Sequence, residues 1–146
     1  QVLKIWKQRK YKHLQLAGFY WVHESVANES DRQVLQAVSA YVHQKKADFY
    51  WIPYFQAGHA GEGKELGFDI TYQQPNYFFN LKTPYTRLPT ALDFAKQHGM
   101  AMEMEFDGRL MSSTDFRQRF YDYLAEFKKA GIWAQTPVAY YEGGGA

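Results

Sequence analysis

The residues of this chain best suited to chemistry are glutamates that close strand-like runs. The stretch MAMEMEFD, residues 100–107, holds Glu103 and Glu105 two positions apart. Strand side chains alternate between faces, so Glu103 and Glu105 share one face with Ala101 while Met102, Met104 and Phe106 share the other. Far upstream, the run FYWVHE ends on Glu24. Two carboxyls held across one cleft can cleave a glycosidic bond. One protonates the leaving oxygen and the other attacks the anomeric carbon, at a separation of roughly 5–5.5 Å when configuration is retained. Burial raises the pKa of the acid while the attacking group stays ionised. The same alternation also suits an ordinary half-exposed strand. Glu105 would then be rim charge, Glu103 buried support beside an Arg or Lys, and Glu24 a solvated strand end or the start of a helix cap. Glu142, after Tyr140 and Tyr141, fits a structural or loop position.

Other chemistries find less support. His23, Glu24, His59 and Asp69 are ligand types for a divalent ion, but their spacing matches neither H-x-x-x-H nor HExxH, so no metal is expected. A histidine beside such a site more often orients a carboxylate or touches substrate. The segment GHAGEGKELG, residues 58–67, lacks the spacing and the Ser/Thr of a phosphate loop and reads as a flexible active-site loop. No Ser-His-Asp arrangement is visible, and with no Cys there is neither a thiolate nor a disulfide framework. No cofactor is expected. Aromatic residues make up 18% of the chain, more than a domain of this size readily buries, and rings stack on the apolar faces of sugars. Parity puts Trp21 opposite Glu24 and Trp51 opposite Tyr54, so both tryptophans are expected in the core. Substrate contacts are expected instead from Tyr54, Gln73, Asn76 and Tyr140, with His23 and His59.

The elements that would position these groups alternate. Strand-like runs at Leu16–Ser25, Ala47–Gly58, within Phe68–Phe79, near Met100–Asp107 and at Pro137–Ala146 are separated by helical periodicities. A helix over Gln1–His13 precedes them. The helix after the first strand is capped by Ser30 or Asp31, and the last by Ser113 or Thr114, closing at Gly131. This βα order predicts right-handed crossovers and a parallel sheet in one unit, residues 1–146. Polar residues gather at the strand ends and not at the starts, the side on which parallel α/β folds work. Five strands are too few for an eight-stranded barrel, yet Glu, Gln and Tyr within them suit a barrel interior better than a flat buried sheet. The expected architecture is therefore the rear part, about strands four to eight, of a (β/α)8 TIM-type barrel. A complete small α/β domain is the alternative. Open edges would make self-association, or pairing with a missing N-terminal barrel half, the expected assembly.

In that placement Glu24 ends the fourth barrel strand and Glu105 the seventh. This resembles the large clan of retaining glycoside hydrolases with (β/α)8 barrels. The resemblance implies Glu24 as acid/base and Glu105 as nucleophile, with Asp107 and Glu103 in support. One departure is that the clan places Asn before the acid/base, where this chain has His23. More closely, GFYWVHE (18–24), FYWIPYF (49–55) with Ala57, GFD (67–69) and QPNYFF (74–79) resemble a family of secreted barrels, domain of unknown function 4855. That likeness covers nearly the whole chain and implies a secreted, cell-surface or periplasmic barrel, sugar-directed by analogy alone.

The expected function is thus hydrolysis of a polysaccharide or glycoconjugate. The rival is a non-catalytic barrel fragment that binds carbohydrate or protein. A net charge of +2 gives no footing for nucleic acid, and the basic run at Lys4–His13 reads as a solvated helix face. No apolar run is long enough to span a membrane. No signal peptide is visible, and the chain begins at Gln1 without Met, so further sequence upstream is expected.

Overall fold

The computed structural model describes residues 1–144; Gly145 and Ala146, expected in the last strand segment, lie outside the described residues. Five strands, β1 (Gly18–Trp21), β2 (Asp48–Trp51), β3 (Ile70–Gln73), β4 (Ala101–Phe106) and β5 (Val138–Glu142), form one sheet in sequential order. Every neighbouring pair is parallel. Helices α1 (Val2–Arg9), α2 (Glu29–Gln44), α3 (Arg87–Gln97) and α5 (Thr114–Lys129) precede or connect them. Two four-residue helices, α4 (Arg109–Ser112) and α6 (Ile132–Gln135), were not foreseen. Strands alternating with helices in this order make an α/β half-barrel.

The strands are shorter than their apolar runs. β1 stops at Trp21 and β2 at Trp51, and the remainder of each run becomes a strand-end loop. Pro53, which has no N–H for a ladder, follows closely after β2. The cap of α2 is Asn28 and not Ser30 or Asp31. Its Oδ1 accepts from Asp31 N–H at 3.0 Å, while Asp31 Oδ2 accepts from Ala27 N–H at 3.0 Å. Asn28 thereby satisfies a first-turn N–H while Asp31 ties down the residue just ahead of the cap, a variation on the capping box. Helix α3 ends on Gly99 (φ 63°) and α5, as expected, on Gly131 (φ 72°), both in the left-handed region.

Register sorts the strand residues onto two faces. Phe19, Trp21, Phe49 and Trp51 belong to a core with Val26, Leu35, Val42, Leu66 and Phe68 under α2. The Trp51 ring lies 5.1 Å from Phe68 and nearly parallel to it. Met102 and Met104 join Leu88, Leu92, Tyr123 and Phe127 in a second core against α3 and α5. Full burial of each such apolar side chain is worth about 1.5–3 kcal/mol. The opposite, concave face carries Tyr20, Tyr50, Tyr72, Glu103, Glu105 and Tyr141.

Candidate functional site

β4 presents Glu103 and Glu105 to the concave side because Met102, Met104 and Phe106 fill the helix side. Both glutamates are buried, Glu103 at 4% exposure and Glu105 at 0%. β3 pairs with β4 only as far as Met102, so the edge of β4 beyond it is open to the loop after β3. Glu105 uses that gap: its Oε2 accepts from Tyr77 N–H at 3.1 Å and from the Tyr123 hydroxyl of α5. Burial pushes the Glu105 carboxyl above the ordinary carboxylate range, while these donors, the Asn76 N–H among them, pull it back. Glu103 has no comparable support. Burial, then the charges of Glu105 and Glu24, raise it to about 8, opposed only by a hydrogen bond with Gln74.

Glu24 lies three residues beyond β1 and is half-buried. Its loop is fastened from the neighbouring strand: Trp51 Nε1–H donates to His23 O at 2.9 Å, and Val26 N–H donates to Gly58 O at 3.2 Å. Burial raises the Glu24 carboxyl and His23 partly offsets this. Tyr20 ties the group together, because burial and then the charges of Glu24, Glu103 and Tyr141 push its phenol up to about 12. A residue of β1 that senses one of β5 across three intervening strands reflects the curl of the sheet.

The remaining expected residues distribute differently. Tyr140 pairs with Met104, so it faces the helix side; Tyr141, the partner of Glu105, is the one on the concave face. Gln73 likewise pairs with Met102 and is fully buried, its amide donating to Gln74 O at 2.9 Å. Gln74 is the glutamine that reaches Glu103. Both corrections have one cause, since a single-residue shift in a strand exchanges its faces. Asn76 holds a left-handed φ of 51°, and its Oδ1 accepts from Phe55 N–H at 3.1 Å, a clamp between loops. Tyr54 is exposed and bridges to Gln74. His59 is exposed and turned to Glu62 (2.8 Å) and Arg32 (3.3 Å) in a surface cluster at the start of α2. His23 is exposed, with Nδ1 2.6 Å from Ser25 O. Asp107 is engaged by Arg109, whose Nη2 lies 2.7 Å from it and holds the carboxyl below its usual range. The Arg109 guanidinium in turn lies 4.0 Å from the centre of the Phe116 ring, which makes this pair a brace for the turn after β4.

Asp69 precedes β3 and bonds His43 (2.8 Å) and Phe49 N–H (2.7 Å) at the strand starts, away from Glu24. Among the described residues no group of three or more His, Asp and Glu is arranged to hold a metal ion. Tyr20, Tyr141 and Tyr123 are the site residues not singled out from sequence. Tyr123 lies on the apolar side of α5, buried with Phe127.

Fold and site together define an α/β half-barrel whose concave face carries clustered glutamates at two strand ends. The chain belongs to the family described as Domain of unknown function (DUF4855), which matches residues 1–146. No curated protein and no solved structure matches the chain.

Proposed function

We propose that the half-barrel is strands four to eight of a TIM-type barrel, and that this barrel is a secreted or cell-surface retaining glycoside hydrolase acting on polysaccharide or glycoconjugate. The observation that carries the reading is the placement of Glu24 after the first strand and Glu105 on the fourth, the two within electrostatic reach of each other. In this reading the Glu24 carboxyl gives its proton to the glycosidic oxygen as the Glu105 carboxylate attacks the anomeric carbon, forming a glycosyl ester and releasing the leaving alcohol. Water then attacks that carbon, losing its proton to Glu24 and freeing Glu105. Raised Glu24 supplies the acid. Tyr123 and Tyr77 supply the donors that an ionised Glu105 needs.

Glu105→Gln is expected to abolish turnover of a responsive glycan, and unchanged turnover would remove Glu105 from the mechanism. Glu24→Gln is expected to lose the glycan but keep activity on an aryl glycoside with an acidic leaving group, which departs without a proton. Complete burial of Glu105 favours a second reading, a carbohydrate-binding barrel in which this residue is structural. Glycan binding with no turnover by the unaltered protein would select it.

A further inference from the structure

Several carboxylates away from the concave face are paired with cations. Asp107 is paired with Arg109, Glu62 with Arg32 and Glu126 with Lys129. Among the described residues, Glu24, Glu103 and Glu105 form no ion pair. The chain has 17 Lys and Arg, yet neither these nor any His lies on the five strands. Instead, three acceptor atoms there have no hydrogen-bond partner among the described residues: Glu103 Oε2, Glu105 Oε1 and Gln74 Oε1. Their side chains are all more than nine-tenths buried. Buried acceptors without donors are costly, and native proteins leave few of them without a reason.

A ligand that enters the trough can supply donors for these atoms. At an ionised Glu105 a neutral sugar hydroxyl can donate one hydrogen bond but leaves the charge uncompensated. An ammonium donates three and neutralises it, in surroundings where charge pairs interact more strongly than in water. Phenol rings beside carboxylates also suit a cation, because ring faces attract positive charge. Tyr20 lies within electrostatic reach of Glu24, Glu103 and Tyr141, so two such rings flank the acids.

We infer that the concave face selects glycans carrying unacetylated amino groups, with Glu24, Glu103, Glu105 and Gln74 as acceptors and Tyr20 and Tyr141 as flanking rings. This deepens the hydrolase reading and rests on it for the sugar nature of the ligand.

The test is calorimetric binding to the full-length protein. The probes are hexamers of β-1,4-glucosamine and α-1,4-galactosamine, each as the free amine and N-acetylated, at a pH where the amine is protonated. The expected result is that at least one free-amine hexamer binds about tenfold or more tightly than its acetylated form, equivalent to about 1.4 kcal/mol. Added salt should weaken only the free-amine complex. Equal affinities, a preference for the acetylated forms, or no binding of either free amine overturns the inference. Turnover that is lost in Glu105→Gln would still support hydrolysis in that event, so the two readings fail separately. Glu103→Gln should remove most of the amine preference. Should that variant not fold, Tyr141→Leu at the exposed edge strand should reduce the preference several-fold, and an unchanged preference there overturns the cradle.

Discussion

Tyr123 is a core residue by burial and a site residue by contact. Its hydroxyl is one of two donors fixing Glu105 Oε2, so Tyr123→Phe removes a hydrogen bond to a buried carboxyl without changing the packing of the ring. Urea denaturation should show a loss of about 1–3 kcal/mol, larger at higher pH because the remaining carboxylate has fewer donors. Glu103 makes a second prediction. Its carboxyl rises from 4.5 to about 8 in the folded protein, so the folded state binds that proton more tightly than the unfolded chain. The stability it contributes is complete below about pH 4.5 and is lost as pH rises through about 8. The decline is at most about 1.4 kcal/mol per pH unit for one proton. Glu103→Gln should flatten the profile across that window but leave a residual slope from Glu105, raised in the same direction. An unchanged slope would contradict the burial argument.

At the scale of elements, Arg119 of α5 organises the loop that serves Glu105. Its guanidinium donates to the carbonyls of Tyr77, Leu81 and Thr83, each at 2.7 Å, and lies 4.0 Å from the centre of the Tyr77 ring. Arg119→Met should cost about 2–4 kcal/mol through stranded carbonyls, and hydrogen exchange should quicken at residues 77–83. Arg119→Lys should rescue little, since one ammonium cannot span three carbonyls in a planar fork. Full rescue by Lys would show that charge alone matters. The sequence made the elements themselves legible: helical periodicity, strand alternation and the glycines closing α3 and α5 are local signals. Glu103 and Glu105 were readable as one face because both lie in a single unbroken strand. Gln74 and Tyr141 were not, because their faces depend on register against β4, and register is a property of two strands. Arg119 was illegible for the same reason. Its partners are 36 to 42 residues away.

At the scale of the whole molecule, neither edge of the sheet has a strand partner among the described residues. β1 exposes Tyr20, and Val22 follows at 76%; β5 exposes Tyr140 at 61% and Tyr141 at 47%. Tyr121, Leu124 and Trp133 add apolar surface beside β5. Open parallel edges with apolar flanks associate readily. Sedimentation of the 146-residue chain by itself should show self-association, weakened by Tyr140→Lys at the β5 edge. A monomer at all concentrations would argue that this sheet tolerates open edges. No described helix is long and apolar enough to cross a membrane.

The ties from Trp51 Nε1–H to His23 O and from Gly58 O to Val26 N–H have a practical consequence. The tip that presents Glu24 does not hold its shape by itself. Anyone grafting that tip onto another scaffold would have to carry Trp51 and Gly58 with it, as one exchangeable cassette drawn from two consecutive βα units.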